Sequence, residues 1–382
     1  MIEVPSDTSA LGLYVHFPWC IKKCPYCDFN SHPLKASTDQ EVYLDALLRD
    51  WHQQYESFGK ARIAQTHGGQ IASIFFGGGT PSLFKPQHLA RLLEEVPHQG
   101  AEITLEVNPG TAEYHRFEDY KDAGINRLSI GAQSFSNAQL ARLGRVHQQE
   151  ETVSAMAKAR QAGFSNINLD IMWGLPGQSV AQALEDLRQA IELQPQHMSW
   201  YQLTIEPKTE FAGRPPILPV DRVLQEIEQA GLALLAEAGF QRYEVSAFAR
   251  PGYACQHNLV YWSFGDYMGI GAGAHGKITQ GTNIYRTQRP SQPRLYQQDS
   301  QITKLTAIPQ TQRPIEFMMN ALRLVDGVTQ QSFAERTQLP WQTVSQVWQE
   351  LVDLDLVRHD RCATTGLGLR YLDSVLERFL DA

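Results

Sequence analysis

Three of the five cysteines in this sequence stand on one short segment, as Cys20, Cys24 and Cys27. With the spacing C-x3-C-x2-C, three thiolates on one loop can ligate three irons of a 4Fe–4S cluster and leave the fourth iron without a protein ligand. An iron with open coordination positions can chelate the amino and carboxylate groups of S-adenosylmethionine (SAM). One electron from the cluster then cleaves the sulfonium to a 5′-deoxyadenosyl radical. The spacing therefore predicts an iron–sulfur loop suited to radical chemistry.

Two simpler interpretations of the cysteine loop compete with this one. The thiols can bind zinc together with His16 or His32, or they can be an accidental group. Structural zinc sites usually combine one C-x2-C pair with a second pair further along the chain. The two remaining cysteines, Cys255 and Cys362, are isolated from each other and form no second pair. The spacing favours the cluster.

The elements around this loop follow a βα pattern from residue 11 to about 205. Short β-branched or aromatic runs alternate there with longer amphipathic stretches. Predicted strands cover 12–17, 71–76, 103–107, 127–130, 166–171 and 199–203. Predicted helices include 38–55, 86–95, 151–162 and 180–193. Six such units predict an α/β fold with parallel strands, either a doubly wound sheet or a barrel.

Chemistry in parallel α/β folds collects at the carboxyl ends of the strands. Nearly every predicted strand ends on polar or metal-binding residues. In strand order these are Cys20, Cys24 and Cys27, then Gly78, Gly79 and Thr80, then Glu106 and Asn108, then Gln133, then Asp170, and finally Gln202 and Thr204. A purely structural barrel has no need for that concentration, so we expect these residues to share one site.

The rest of the chain is predicted to form two smaller units. Prolines between 215 and 219 mark a boundary, followed by a helix over 221–238, a strand near 242–245 and an aromatic, glycine-rich segment over 255–276. A Gln- and Pro-rich stretch, 287–314, is interpreted as a linker or surface loop. Three helical patterns and a short apolar turn over 315–382 suggest a winged-helix-like domain. The predicted domains are 1–215, 216–314 and 315–382.

Charge weighs against a nucleic-acid partner. The chain carries 33 Lys and Arg against 41 Asp and Glu, a net charge of −8. The winged-helix-like segment 315–382 has six Arg and no Lys against ten acidic residues. Because phosphate neutralisation dominates DNA affinity, a cluster-bearing transcriptional regulator is disfavoured.

No apolar run approaches the roughly 20 residues of a membrane span, and no signal peptide is visible, so we expect a cytoplasmic protein without a membrane span.

The motifs resemble those of the radical SAM superfamily and, more narrowly, of the oxygen-independent coproporphyrinogen III oxidase-like family, which includes a branch of haem chaperones. The matching strings cover almost the whole chain. They are YVHFPWC (14–20), GGGTP (77–81), LEVNP (105–109), IGAQSF (130–135), LGR (143–145), NLD (168–170) and GLPG (174–177). The resemblance implies a partial (β/α)6 TIM-like barrel over roughly residues 10–205.

The resemblance also implies which residues bind the cofactor. Carried over position by position, these are Tyr14, Gly78, Gly79, Thr80, Glu106, Gln133, Arg145 and Asp170. Their chemistry is compatible with SAM. Glu106 can accept from the methionine amino group or a ribose hydroxyl, Arg145 can pair with a carboxylate, and Asp170 can accept from a hydroxyl.

Two departures separate the family's decarboxylase from its haem chaperones. The enzyme has a further cysteine two residues after the third and a longer segment before the cluster. Here the first of these positions is Phe29, and the motif begins at Cys20. Both differences weaken the alternative of an oxygen-independent coproporphyrinogen III oxidase in porphyrin biosynthesis. Since the radical machinery looks complete, whether the protein is an enzyme stays open at this stage.

A positive signal for the haem-chaperone branch is the string HNxxYW at 257–262. An imidazole is a standard axial ligand of haem iron, so His257 is the predicted ligand, with Tyr261 and Trp262 against the porphyrin. Cys255 is a competing thiolate ligand, and a simpler interpretation has His257 satisfied by a backbone carbonyl in the core.

The resemblance implies several partners. They are haem, an acceptor haem protein such as a respiratory enzyme, and an electron donor such as flavodoxin or ferredoxin. Delivery to a respiratory enzyme would bring the protein transiently to the membrane surface. No basic amphipathic helix is visible in the sequence, so we expect that contact to run through the protein partner.

Overall fold

Residues 10–36, 38–111, 115–300 and 303–380 are described by the structure, a computed structural model. Its strands are β1 (Leu11–Phe17), β2 (Trp19–Cys20), β3 (His32–Pro33), β4 (Ser73–Gly78), β5 (Glu102–Val107), β6 (Arg127–Gln133), β7 (Ile167–Trp173), β8 (His197–Gln202), β9 (Gln241–Glu244), β10 (Ala247–Ala249), β11 (Asp266–Ile270), β12 (His275–Gln280), β13 (Asn283–Gln288) and β14 (Lys304–Ala307).

Sixteen α-helices lie within the described ranges, joined by loops and short 3₁₀ turns. They are α1 (Gln40–Gln54), α2 (Lys60–Ile63), α3 (Pro86–Glu94), α4 (Phe117–Asp122), α5 (Asn137–Arg142), α6 (Gln149–Gln161), α7 (Val180–Glu192), α8 (Glu210–Gly213), α9 (Asp221–Glu237), α10 (Gln256–Trp262), α11 (Pro293–Gln298), α12 (Arg313–Ala321), α13 (Gln330–Thr337), α14 (Gln342–Asp353), α15 (Gly366–Arg370) and α16 (Leu372–Glu377). No helix of the described part of the chain is long and apolar enough to cross a membrane.

Twelve strands form one sheet in the order β14-β13-β12-β11-β1-β4-β5-β6-β7-β8-β10-β9. The seven central strands, from β11 to β8, pair in parallel. The sheet is open, because β14 and β9 are its two end strands. The six predicted strands correspond to β1 and β4–β8, so the predicted partial barrel is confirmed. The seventh parallel strand, β11, was not predicted.

Alternation along the strands separates the two faces of the sheet, because successive side chains point to opposite sides. On one face Leu13, Ile74 and Leu105 are fully buried in the main apolar core together with side chains of the surrounding helices. On the other face the strands carry polar residues, such as Glu106 on β5 and Asp170 on β7, that enclose the barrel interior. The sheet thus presents a polar interior and an apolar exterior.

The prediction that 287–314 is a linker or surface loop is wrong. This stretch contains α11 and β14, and the ring of Tyr296 is fully buried. The Tyr296 hydroxyl donates to Asp50 Oδ2 at 2.8 Å, and Arg289 forms an ion pair with the same carboxylate at 2.6 Å. Since a buried charge needs a partner, this pairing anchors the stretch against α1.

The C-terminal helices share one apolar cluster with residues of the preceding region. Phe317, Phe333 and Trp348 lie in it beside Tyr243 and Phe264. After α12, α13 and α14, an antiparallel bridge joins Val357 to Thr364, which is the order predicted for a winged-helix-like domain. The boundaries near 215 and 314 remain a proposal, and this cluster spans the second of them.

Candidate functional site

The cysteine loop leaves the barrel at the carboxyl end of β1. The short parallel pair β2–β3 closes it, and backbone bonds from His32 N–H to Pro18 O and from Leu34 N–H to Cys20 O hold its ends. Cys20, Cys24 and Cys27 are all free and partly exposed. Burial raises the pKa of the Cys20 and Cys27 thiols, while a hydrogen bond with Thr80 lowers that of Cys20. Thiols are the donor type that ligates iron–sulfur clusters, and among the described residues the three are not already gathered around a metal-ion position.

One cavity of about 880 Å³, open to solvent, gathers most of the predicted site. The predicted residues that line it are Cys20, Cys24, Cys27, Gly78, Gly79, Thr80, Glu106, Gln133, Arg145 and Asp170. They come from the carboxyl ends of four strands and two loops, so the fold brings together residues that are far apart in sequence.

The glycines at the end of β4 are required by close packing. A Cβ on Gly78, which has φ of 119°, would lie 2.5 Å from the His16 ring, and a Cβ on Gly79 would lie 2.6 Å from the Trp19 carbonyl oxygen. No side chain fits at either position without a shift of its neighbours. The glycine turn therefore lies directly against the start of the cysteine loop.

Two partly buried carboxyl groups, those of Glu106 and Asp170, face the same cavity. Glu106 Oε2 accepts from the Gly78 N–H at 3.0 Å. Burial raises the pKa of Glu106 to about 8, Asp170 adds to the rise, and the Gly78 bond opposes it. Burial also raises the pKa of Asp170, against hydrogen bonds from Ser199, Asn168 and Ser129. Such groups can accept from the amino and hydroxyl groups of a ligand that enters the cavity.

Arg145 supplies positive charge on the side of the cysteine loop. Its Nη2 donates to Gly131 O at 2.9 Å, and its Nη1 lies 3.9 Å from Cys24 Sγ. The buried Nε has no hydrogen-bond partner among the described residues. A guanidinium with a free donor beside the thiols can bind a carboxylate.

Tyr14 lies in the barrel interior but does not line the cavity. A Cβ on Gly77 would lie 2.9 Å from its ring. The Tyr14 hydroxyl is 3.0 Å from His16 Nδ1, and His16 Nε2 is 2.8 Å from Asn30 O. Since a carbonyl only accepts, His16 Nε2 carries the proton and Nδ1 accepts from Tyr14. Both nitrogens of His16 are thus engaged, which argues against His16 as a zinc ligand.

Sequence reasoning missed several residues that line the cavity, among them two polar residues on strands. Tyr201 and Ser129 face it, whereas the predicted Gln202 does not. Tyr201 donates to Gln133 Oε1 at 2.6 Å, and Gln133 has a positive φ of 66°. Residues two apart on a strand share a face, so counting forward by two from Ser199 selects Tyr201 instead of Gln202.

The predicted haem ligands lie at the opposite end of the strands. Cys255 precedes α10 and His257 lies within it, and both are buried, with 1% and 2% exposure. His257 Nδ1 is 2.9 Å from Ser73 Oγ at the start of β4, and Cys255 Sγ donates to Glu102 Oε1 at the start of β5. Burial, then the charge of Arg127, lowers the pKa of His257 to about 3. Burial raises that of Cys255 to about 12.

The aromatic residues of the same motif contact protein groups. The Tyr261 ring is perpendicular to that of His257, with 4.7 Å between centroids, and lies 4.1 Å from Tyr267. Trp262 packs under the Arg323 guanidinium at 4.4 Å. Both residues are partly exposed, and each ring already has an aromatic or cationic neighbour within the protein.

Comparisons with known proteins decide the family. The model of the radical SAM superfamily matches residues 14–190, and that of the HemN C-terminal domain matches residues 308–362. The heme chaperone HemW of Escherichia coli is 45% identical over all of both chains, and HemW of Haemophilus influenzae is 46% identical over 97% of this chain and 98% of its own.

The chain belongs to the HemW family of radical SAM proteins. A solved structure, coproporphyrinogen III oxidase (HemN) from Escherichia coli, covers 99% of this chain and 92% of its own, with a TM-score of 0.78 at 24% identity. At that identity the match establishes the fold. Membership in the radical SAM superfamily implies a 4Fe–4S cluster and SAM, and it confirms the predicted family.

Proposed function

We propose that this protein is a haem chaperone, which binds haem and delivers it to haem proteins such as respiratory enzymes, and which carries a 4Fe–4S cluster and SAM. The observation that carries the proposal is the full-length similarity to HemW, at 45% identity over both chains. The cavity supports it, because the three thiols and most of the predicted polar strand ends line it.

In this proposal Cys20, Cys24 and Cys27 ligate three irons. When bound, the cluster supplies one electron at a time, received from a donor such as flavodoxin or ferredoxin, to SAM on its open iron. The chain's own part is to hold the thiols on a loop closed by β2 and β3 and to keep Arg145 beside Cys24.

The remaining cavity residues hold SAM. Gly78, Gly79 and Thr80 allow close backbone approach, Glu106 accepts from the methionine amino group or a ribose hydroxyl, and Asp170 accepts from a hydroxyl. Arg145 pairs with the carboxylate, and Gln133, oriented by Tyr201, offers its amide. Tyr14 acts on the cavity indirectly, because its hydroxyl donates to His16, whose ring packs against Gly78.

For haem we retain His257 as the proposed axial ligand, with Cys255 as the competitor. Ligation has a clear structural requirement. The Nε2 atom of His257 is buried and has no hydrogen-bond partner among the described residues, so iron can reach it only if α10 moves away from the strands. The unpartnered nitrogen makes that movement less costly on the His257 side, since no Nε2 hydrogen bond has to break.

The alternative is an oxygen-independent coproporphyrinogen III oxidase. The position of the enzyme family's additional cysteine is Phe29, whose side chain is 57% exposed at the rim of the cavity. An exposed phenyl ring cannot replace a thiol as ligand or nucleophile. The similarity to HemW over the full length favours the chaperone over the enzyme.

We further propose that the protein works in the cytoplasm and reaches membrane-bound acceptors by contact with the acceptor protein. The C-terminal helices are the proposed partner surface, since they expose apolar residues. Met319, Leu354, Tyr371 and Leu380 have exposures of 53–62%.

One experiment separates these functions. The cluster is reconstituted anaerobically, haem is titrated with and without SAM, and coproporphyrinogen III turnover is assayed on the same sample. The proposal expects about one haem bound per chain and no protoporphyrinogen IX. Turnover to protoporphyrinogen IX would establish the enzyme instead, and the absence of haem binding would refute the chaperone.

A further inference from the structure

A continuous line of buried polar side chains runs from α10 to the cavity. Asn258 Nδ2 donates to the Tyr243 hydroxyl at 3.0 Å, and that oxygen is 2.9 Å from His197 Nε2. His197 Nδ1 is 2.6 Å from Asn168 Oδ1, and Asn168 Nδ2 donates to Asp170 Oδ1 at 2.8 Å. The line thus joins the HNxxYW segment at one end of the barrel to a cavity carboxylate at the other.

The direction of each proton in this line follows from the groups themselves. Because carboxylate oxygens only accept, the Asn168 amide turns its NH₂ toward Asp170 and its oxygen toward His197. His197 Nδ1 must then carry a proton. Burial lowers the pKa of His197 well below its usual value, so the ring is neutral and its Nε2 accepts from the Tyr243 hydroxyl. Every donor in the line therefore points toward the carboxylate.

The same line fixes both oxygens of Asp170. Asn168 Nδ2 also donates to Ser129 Oγ at 2.7 Å, and Ser129 Oγ donates to Asp170 Oδ2 at 3.1 Å. His197, Asn168 and Tyr243 are at most 4% exposed, so water does not compete for these bonds. Aligned hydrogen bonds polarise one another, and in a dry interior they hold an acceptor more firmly than single bonds do.

We propose that Asn258, Tyr243, His197 and Asn168 are positioning residues that orient Asp170 toward SAM. This inference rests on the proposed function, in which Asp170 binds SAM. It gives α10 a second role besides carrying His257, because Asn258 of that helix starts the line. The helix that carries the proposed haem ligand His257 is thereby tied to the cofactor cavity.

The proposal is tested with Tyr243→Phe, which removes one hydroxyl and keeps the ring. The variant and the parent protein are reconstituted anaerobically, and the SAM dissociation constant, the electron paramagnetic resonance (EPR) spectrum of the reduced cluster with SAM, and the thermal midpoint are measured. We expect the dissociation constant to rise about tenfold, as for other orienting residues. The SAM-dependent spectrum should also change, because Asp170 is no longer held in one orientation.

Tyr267→Phe is the matched control. Tyr267 is also buried and loses a hydrogen-bonded hydroxyl, the acceptor from Arg286 Nη1 at 2.9 Å, but it lies outside the line. It should bind SAM as the parent does. If Tyr243→Phe does not fold, Asn258→Ala, at a half-buried position, replaces it, with an expected rise in the SAM dissociation constant of about threefold.

The outcomes separate the inference from the proposed function. The inference that the line orients Asp170 is supported if the SAM dissociation constant rises for Tyr243→Phe or Asn258→Ala and does not rise for Tyr267→Phe. Equal SAM binding by parent and both line variants overturns the inference and leaves the proposed function standing. Failure of the reconstituted parent to bind SAM at all overturns both.

Discussion

At the carboxyl ends of the strands, polar side chains face an open cavity of about 880 Å³, whereas at the amino ends the polar side chains contact each other and α10. Glu102 illustrates the second case, since one oxygen accepts from the Cys255 thiol and from the N–H groups of Gln256 and His257. Arg145 illustrates the first, with a buried Nε that has no partner among the described residues. The same strands thus build a binding site at their carboxyl ends, the mouth of the barrel, and a closed region at their amino ends beside α10, the floor of the barrel.

This contrast explains why similar residues have different roles. A buried polar group that is already hydrogen-bonded stabilises the fold, and one left without a partner has bonding capacity for a ligand. Cys24, partly exposed at the mouth, is available to iron, and Cys255, fully buried at the floor, is not unless α10 moves. Position in the barrel, more than residue type, decides which cysteines serve the cluster.

The largest expected effect comes from removal of a thiol at the mouth. In Cys24→Ala, a three-iron ligand set loses one member, so we expect the loss of nearly all bound iron and sulfide after anaerobic reconstitution. Metal and acid-labile sulfide analysis measures this. Cys362→Ala, at a buried cysteine of the C-terminal cluster, is the control and should retain a full cluster. Full iron content in Cys24→Ala would contradict the assignment.

The glycine turn gives the next effect. Gly79→Ala places a Cβ 2.6 Å from the Trp19 carbonyl oxygen, so either the turn or the cysteine loop must shift. Overpacking of this kind costs about 1–3 kcal/mol, and we expect SAM affinity to fall about tenfold by equilibrium dialysis. Gly213→Ala, where no heavy atom lies within 4 Å of the added Cβ, should change nothing. Equal losses in the two variants would remove the turn from the site.

Haem binding tests whether His257, at the floor of the barrel, is the axial ligand. We expect His257→Ala to reduce haem affinity about tenfold or more, because the proposed axial bond is lost. Optical titration of the reconstituted protein measures this, with the exposed neighbour Gln256→Ala as control. Unchanged, stoichiometric haem binding by His257→Ala would exclude this ligand and would leave the floor closed in function as well as in structure.

The smallest effect concerns pH and Glu106, whose pKa burial raises from 4.5 to about 8. Below pH 4.5 the carboxyl is protonated in both the folded and the unfolded chain and contributes nothing. As pH rises from 4.5 toward 8, the unfolded chain ionises first, so the stability of the folded state falls. The side chain of the Glu106→Gln variant does not ionise, so the variant does not lose this stability as pH rises.

We therefore expect Glu106→Gln to raise the thermal midpoint of the cluster-free protein by roughly 2–4 °C at pH 8 and to leave it unchanged at pH 4.5. Differential scanning calorimetry of variant and parent at both values checks the prediction. The same variant should bind SAM more weakly after reconstitution. A midpoint lowered at pH 8 would show that ionised Glu106 is stabilised, contrary to the burial argument.

Much of the barrel was predictable because its strands have a simple physical signature. Leu13, Ile74 and Leu105 belong to short apolar runs, and longer amphipathic stretches separate these runs in the sequence. β11 and α11 were missed because their segments are rich in Gly, Gln and Pro. Their order comes from distant partners, such as the Arg289–Asp50 ion pair, that local patterns do not reveal.

The site was predictable to the extent that strand ends reveal it. Seven predicted cofactor residues and the three cysteines line the cavity, because parallel strands deliver their carboxyl ends to one edge. Tyr201 was missed through a one-residue error in strand parity. The location of His257 was not predictable, since only the tertiary fold returns α10 to the amino ends of β1 and β4, where His257 contacts Gly12 and Ser73.

The central claim is that the mouth of the barrel holds the cluster and SAM together. The most direct test is the EPR spectrum of the reduced, reconstituted cluster during a SAM titration. The account predicts a spectral change that saturates at one SAM per chain, because SAM binds the iron that lacks a protein ligand. A cluster spectrum that SAM leaves unchanged at every concentration would contradict it.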